Sequence, residues 1–122
     1  MATSILLIED DDALRAEILD YLLRQKYNVT TCTCIAEAEA ALDDATPDTI
    51  ISDISLPDGD GVSFYVENAR RTAGTRWILM SANHDLVRLG NRLKAVSDLP
   101  PCSIVDKPLP LRLLDRAIRA AA

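Results

Sequence analysis

Several acidic residues and one lysine follow strand-like segments of this chain, and together they could hold a metal ion beside an anion-accepting carboxylate. Asp53 ends the apolar run 49–53 and precedes a loop rich in Pro and Gly, so a rigid strand would position an exposed carboxylate. An acidic cluster at residues 9–12 follows the first apolar run, and Lys107 follows the last. Carboxylates that lie close together repel one another unless a cation joins them. The simplest arrangement is a divalent metal ion beside Asp53.

Length and composition limit what the chain can be. Its 122 residues fit one domain with one core, and with 48% apolar but only 4% aromatic residues that core should be aliphatic. The net charge of −6 argues against general binding to nucleic acid or to membrane surfaces, which requires clustered Lys and Arg. Much of the negative charge falls in two loops, which favours a site over a solvated tail.

The cysteines and the N-terminus indicate a reducing compartment. Cys32, Cys34 and Cys102 have no zinc-ligand spacing, and the first two are predicted to be small buried residues on one face of a strand rather than a redox pair. The chain starts without a charged signal-peptide region, and no apolar run approaches the length of a membrane span. We expect a cytoplasmic protein.

Strand-like and helix-like patterns alternate along the chain. Asp12 is expected to cap the first helix. Alternation of short apolar strands with helices predicts a parallel sheet that helices cover on both faces. The predicted strands are 4–8, 28–33, 49–53, 76–80 and 103–105, and the predicted helices are 13–25, 35–44, 61–72, 86–96 and 111–121.

Polar residues follow four of the five predicted strands at the point where each strand ends. In an open parallel sheet, ligands bind at the carboxyl ends of the strands. Each residue also has a plainer explanation. Glu9 and Asp10 could favour a helix N-terminus, Ser81 could be a small strand-end residue, and Lys107 could be a solvated charge. Asp53 could be a turn residue, although Ser55 and Asp58 suit that role better. Their coincidence at one edge favours a functional site. The residues are Glu9 and Asp10, Asp53, Ser81 and Lys107, after strands one, three, four and five.

Four motifs, in this order, resemble the receiver domain of two-component response regulators, including the single-domain chemotaxis type. They are Ile-Leu-Leu-Ile-Glu9-Asp10-Asp11, Ile-Ile-Ser-Asp53-Ile-Ser-Leu-Pro-Asp-Gly-Asp-Gly61, Ile-Leu-Met-Ser81-Ala82 and Asp-Lys107-Pro108-Leu. Each motif alone is weak, but the ordered set covers nearly the whole chain. The resemblance implies one domain over residues 1–122. It also implies a flavodoxin-like (βα)5 fold, in which helices cover both faces of a five-stranded parallel sheet of order 2-1-3-4-5.

The resemblance also implies a role for each matching residue. Asp53 would be the phosphoacceptor and would take a phosphoryl group from a histidine kinase or phosphotransfer protein. Ser81 would bind a phosphoryl oxygen, and Lys107 would pair with Asp53 and then with the phosphate. Mg²⁺ would be the cofactor, held by the carboxylates of Glu9, Asp10 and Asp53 and by the backbone carbonyl of Ser55. The chain would be a cytoplasmic signalling switch that slowly loses its phosphate, not a turnover enzyme.

The resemblance implies an output through protein contacts. The expected partner is a downstream protein target or an effector domain, with no direct contact to nucleic acid or membrane; homodimerisation through the face of helix four, strand five and helix five is a further option. The chain would be a free-standing regulator or a receiver from a longer regulator or hybrid kinase. Ile104 stands where the family commonly has an aromatic residue that rotates inward on activation, so the output switch should be atypical.

Two rival functions remain open from the sequence. An aspartyl-phosphate phosphohydrolase would need a second Asp two residues after the nucleophile, where this chain has Ser55. A phosphorylation-independent interaction module would use the same fold as a scaffold only. The complete set of acidic and basic site residues argues against this second rival.

Overall fold

The computed structural model describes residues 3–82, 91–93, 99, 102–107 and 111–119. The strands are β1 Ser4–Ile8, β2 Asn28–Cys32, β3 Thr49–Asp53, β4 Ser55–Leu56, β5 Gly59–Asp60, β6 Arg76–Ser81 and β7 Cys102–Asp106. The helices are α1 Asp12–Arg24, α2 Ile35–Asp44, α3 Gly61–Asn68 and α4 Leu111–Arg119, and residues 91–93 are also helical. The predicted helix 86–96 therefore lies largely outside the described residues.

Five of the strands form one sheet in the order β2-β1-β3-β6-β7, with every neighbouring pair parallel. This confirms the predicted flavodoxin-like order 2-1-3-4-5 for the five sheet strands. The carboxyl ends of parallel strands lie at one edge, so residues after β1, β3, β6 and β7 share that edge. The two remaining strands, β4 and β5, pair antiparallel as a small hairpin directly after β3.

Helices cover both faces of the sheet, and β1 sends alternate side chains to these two faces. Ile5 and Leu7 pack with residues of α1 and α4, whereas Leu6 and Ile8 pack with residues of α2 and α3. These four side chains are at most 3% exposed. The prediction of helices on both faces is confirmed, and the core is mainly aliphatic, with Trp77, Phe64 and Tyr65 packed edge to face.

The first helix begins one residue earlier than predicted. Asp11, not Asp12, is its N-cap: Asp11 has extended backbone, and its Oδ1 accepts a hydrogen bond of 2.9 Å from the N–H of Leu14. Asp12 is the first helical residue and forms an ion pair with Arg15. Three consecutive Asp residues can all cap a helix, so the choice depends on where the preceding loop turns.

The third helix is shorter than predicted, ending at Asn68 instead of continuing to Thr72. The side chain of Asn68 donates to the carbonyl of Phe64, and the hydroxyl of Thr72 donates to the carbonyl of Asn68. Side chains that bind nearby backbone compete with helical geometry, and residues 69–74 form turns. Gly74 then takes the left-handed conformation, with φ of 92°.

The strand that contains Cys32 ends at that residue, so Cys34 does not share a strand face with it as predicted. Cys32 is buried, Cys34 precedes α2 and is half-buried, and all three cysteines are free thiols. Within the described ranges, no helix combines the length and apolar character needed to cross a bilayer.

Candidate phosphoacceptor and metal site

Three carboxylates come together at the carboxyl edge of the sheet. Ile8 of β1 pairs with Ser52 of the adjacent strand β3. The residues that follow them, Glu9 and Asp53, therefore lie side by side. Glu9, Asp10 and Asp53 each offer an oxygen, and these oxygens lie within 4.8 Å of one another. Oxygen donors at this spacing suit a hard divalent cation. The predicted acidic cluster is therefore present and could hold a metal ion.

Asp53 is more enclosed than predicted, with only 6% of its surface exposed. Its Oδ2 accepts a bond of 3.0 Å from Nζ of Lys107, and its Oδ1 accepts one of 3.3 Å from the N–H of Ser55. Its backbone oxygen accepts the hydroxyl proton of Ser52, and a Cβ at Gly61 would overlap that same oxygen. The start of α3 thus lies directly against the backbone of Asp53, which fixes the carboxylate in place.

Glu9 is fully buried and satisfies both of its carboxylate oxygens. Oε1 accepts a bond of 2.6 Å from Lys107, and Oε2 accepts one of 3.1 Å from the N–H of Asp11. Burial raises the pKa of Glu9, an effect that the hydrogen bonds from Lys107 and Asp11 only partly offset. The guanidinium of Arg15 donates to the backbone oxygen of Glu9 at 3.0 Å and holds the β1–α1 loop.

Lys107 is the cation at the centre of the cluster. Burial acts to lower the pKa of its ammonium, but hydrogen bonds and charge attraction from Glu9 and Asp53 outweigh it, so the pKa is raised above 10.5. Its backbone N–H donates to the carbonyl of Ser81 at 2.8 Å. Lys107 therefore stays protonated at neutral pH and is fixed through both its side chain and its backbone.

Ser81 ends β6 and is buried, with 3% of its surface exposed. Met80, the residue before it, pairs with Asp53 in the neighbouring strand, so Ser81 lies at the same edge as Asp53. Asp10, in contrast, is exposed, which leaves the acidic cluster accessible from solvent. Glu9, Asp10, Asp53, Ser81 and Lys107 all lie at the edge where the sequence predicted them.

Three contacts of this region were missed by the sequence reasoning. Lys107 was expected to pair with Asp53 alone, but it also binds Glu9. Arg15 was not expected to contact the site. Asp58 was assigned to a turn; it lies in the β4–β5 turn, but its carboxylate also accepts the N–H groups of Ile35 and Ala36 at the start of α2. Asp58 binds backbone more than 20 positions away, so no local pattern could have indicated this contact.

The sequence matches one known family over almost its whole length. Residues 5–119 match the family model described as response regulator receiver domain. The transcriptional regulatory protein AfsQ1 of Streptomyces coelicolor is 36% identical over 117 residues, which cover 96% of this chain and 50% of that protein. The regulatory protein VanRB of Enterococcus faecalis is 31% identical over 120 residues, which cover 98% of this chain and 52% of that protein.

Solved structures agree with this match. A CheY-like response regulator receiver domain protein from Methanospirillum hungatei JF-1 superposes with a TM-score of 0.86 at 21% identity, covering 99% of this chain and 94% of that one. The receiver domain of HemR from Leptospira biflexa superposes with a TM-score of 0.77 at 26% identity, covering 95% of this chain and 94% of that one. The first likeness supports the fold alone.

The chain spans about half the length of the two curated relatives named above, so their full activities extend beyond the region they share with this chain. What they share with it is the part that carries the acidic cluster and the lysine. The chain therefore belongs to the family of response regulator receiver domains, the signalling modules of two-component systems.

Proposed function

We propose that the chain, over residues 1–122, accepts a phosphoryl group on Asp53 and thereby switches a protein-interaction surface. The observation that carries this proposal is the position of Lys107, whose Nζ lies 3.0 Å from Oδ2 of Asp53 while the carboxylates of Glu9 and Asp10 lie within 4.8 Å. An ammonium beside a carboxylate, within a larger acidic cluster, suits transfer of an anionic group that needs charge neutralisation.

The residues present fit Mg²⁺, because every donor at the acidic cluster is an oxygen. The carboxylates of Glu9, Asp10 and Asp53, with the backbone carbonyl of Ser55, would hold the ion. When bound, the ion supplies positive charge that lowers the repulsion between a carboxylate and an anionic phosphoryl donor. The exposed position of Asp10 leaves room for the water ligands that Mg²⁺ retains.

The chain's own residues then have distinct tasks. A carboxylate oxygen of Asp53 forms a bond to phosphorus as the bond from phosphorus to the donor's leaving atom breaks. The ammonium of Lys107 moves from the carboxylate to an anionic phosphoryl oxygen, and the hydroxyl of Ser81 donates to another. Water later cleaves the acyl phosphate and restores Asp53. No second carboxylate follows two residues after Asp53, since Ser55 stands there, so the site does not support rapid turnover.

The proposed partners follow from this chemistry. The donor is a histidine kinase or phosphotransfer protein in the cytoplasm, and the recipient of the signal is a downstream protein or an effector domain. Ile104, half-buried in β7 beside Leu79, replaces the usual aromatic residue, so the output differs from the common pattern. Dimerisation through the face formed by the predicted helix 86–96, β7 and α4 stays a prediction, because most of that predicted helix lies outside the described residues.

The test is phosphorylation by a small-molecule donor. The chain is incubated with acetyl phosphate and Mg²⁺, and its intact mass is measured over time. Wild type should gain one phosphoryl group, Asp53→Asn should gain none, and Asp48→Asn, just before the opposite end of β3, should behave as wild type. Wild type that folds but gains no phosphoryl group would overturn the proposal and favour a phosphorylation-independent interaction module.

A further inference from the structure

We propose that Asp58 is a positioning residue of the metal site, because it ties the β4–β5 hairpin, which carries Ser55, to the start of α2. This inference rests on the proposed function. Asp58 has no contact with the acidic cluster among the hydrogen bonds of the described residues, so its effect would be exerted through the backbone of the hairpin.

The carboxylate of Asp58 holds the end of a helix that lies far from it in sequence. Oδ1 accepts a bond of 2.8 Å from the N–H of Ile35, and Oδ2 accepts one of 3.0 Å from the N–H of Ala36. The N-cap residue of α2, Cys34, makes no side-chain capping bond of its own. Asp58 thus supplies the cap from another loop, and these bonds lower its pKa below 3.8.

The hairpin also packs against the same helix end. Its register pairs Ser55 with Asp60 and Leu56 with Gly59. A Cβ built at Gly59 would lie 2.7 Å from Cδ1 of Ile35, which shows how closely the hairpin approaches the first residue of α2. The hydrogen bonds of Asp58 and this contact act at one place, so the hairpin has little freedom to move away from α2.

The other end of this connection reaches the acidic cluster. The segment before α2 follows β2, and the carbonyl of Cys32, the last residue of β2, accepts a bond of 3.0 Å from the N–H of Glu9. Backbone and hydrogen bonds therefore form a continuous path. It runs from Asp53 through the hairpin and Asp58 to α2, and then back along the chain to Cys32, which binds Glu9. In this proposal the path restrains the hairpin, and with it the Ser55 carbonyl, relative to Glu9 and Asp10.

A carboxylate is needed for this contact because it accepts two N–H groups with two oxygens. An Asn at this position keeps one acceptor oxygen and an Ala keeps none. Loss of the contact would free the hairpin and misplace one metal ligand, and outer-shell changes of this kind weaken metal binding by about tenfold or more. The carboxylates of the cluster itself would be unchanged.

The test is Mg²⁺ affinity, measured by calorimetric titration of the full chain without a phosphodonor. We expect Asp58→Ala to weaken Mg²⁺ binding about tenfold, with Asp58→Asn between it and wild type. Glu37→Gln is the matched control. Glu37 accepts the N–H and hydroxyl of Thr33 beside the same helix end, at 2.6 and 2.8 Å, and its hydrogen bonds within the described part of the chain do not reach the hairpin. The Mg²⁺ affinity of the Glu37→Gln variant should stay within about twofold of that of wild type.

Circular dichroism and Tm for each variant separate positioning from general stability. If Asp58→Ala fails to fold, the Mg²⁺ affinity of Asp58→Asn is compared with that of Glu37→Gln instead. If wild type binds Mg²⁺ and the Asp58 variant binds it equally well, or no worse than Glu37→Gln, Asp58 is only a helix cap and the inference is overturned while the proposed function stands. If wild type itself binds no Mg²⁺, both fall together.

Discussion

The ammonium of Lys107 lies closer to Glu9 than to the carboxylate it was expected to pair with: 2.6 Å separates Nζ from Oε1 of Glu9, against 3.0 Å to Oδ2 of Asp53. The side chain of Glu9 is fully buried, and that of Lys107 is 15% exposed. One cation therefore joins two carboxylates at the ends of neighbouring strands, Glu9 directly after β1 and Asp53 at the end of β3. It also offsets the charge of the buried Glu9 carboxylate.

Removing this cation should destabilise the metal-free protein. Lys107→Met leaves a buried carboxylate without its ammonium partner, and we expect a loss of about 3 kcal/mol in the free energy of unfolding. Urea unfolding in the presence of EDTA measures it. The control is Lys26→Met, an exposed lysine after α1, which should change stability by less than about 0.5 kcal/mol. Equal losses for the two variants would show that the Lys107 contacts contribute nothing.

Mg²⁺ should stabilise the folded chain, because it binds the assembled carboxylates and not the unfolded chain. At a free Mg²⁺ concentration one hundred times its Kd, the expected gain is about 2.7 kcal/mol. Asp10→Asn should lose most of this gain but change the metal-free protein little, since Asp10 is exposed. Thermal unfolding with and without Mg²⁺ tests both statements, with Asp44→Asn on α2 as control. A gain retained in Asp10→Asn would remove Asp10 from the site.

Two nearby glycines should respond differently to the same substitution. A Cβ at Gly61 overlaps the backbone oxygen of Asp53, which cannot move without displacing the carboxylate. A Cβ at Gly59 meets only the end of the Ile35 side chain, which can rotate. We expect Gly61→Ala to cost about 2 kcal/mol of stability and to slow phosphorylation, and Gly59→Ala to cost less than about 1 kcal/mol. Similar effects in both variants would contradict this account of α3 against Asp53.

The sequence predicted the sheet well because its signals are local. Each strand is a short apolar run between breakers, and alternation with helices allows few parallel arrangements. The convergence of Glu9, Asp53 and Lys107 followed from the rule that strand ends share one edge. The geometry at that edge confirms their proximity, while their roles stay predictions.

The features that the sequence could not predict depend on contacts between distant segments, or on a choice between neighbouring residues of the same type. Asp58 looks like an ordinary turn residue, and only the folded chain brings it to the start of α2. Asp11 and Asp12 have the same capping ability, so their order is decided by the turn of the loop after β1. The early end of α3 reflects hydrogen bonds from Asn68 and Thr72 to backbone, which propensity alone does not predict.

Acid should remove the contribution of two carboxylates at the start of α2. Bonds from Ile35 and Ala36 lower the pKa of Asp58 below 3.8, and bonds from Thr33 lower that of Glu37 below 4.5. Because the folded pKa lies below the unfolded one, the stabilisation is complete above the unfolded values and is lost as pH falls through the folded values.

The variant Asp58→Asn/Glu37→Gln tests this dependence. It should be less stable than wild type at pH 7, and the difference should shrink as the pH is lowered from about 5 through the acid range, where these carboxyl groups take up protons. Urea unfolding across this range is the measurement. A difference that stays constant or grows on acidification would mean that these carboxylates contribute nothing through their charge.

The central claim is that Asp53 itself forms the acyl phosphate in a site that depends on a divalent cation. Borohydride reduction of the chain after reaction with acetyl phosphate, followed by peptide mass mapping, locates the modified carboxyl group directly. We predict a single reduced residue, at position 53, that forms with Mg²⁺ and is absent when EDTA replaces the ion. Modification at Asp10 or another carboxylate instead, or modification of Asp53 that is equally extensive without a divalent cation, would contradict it.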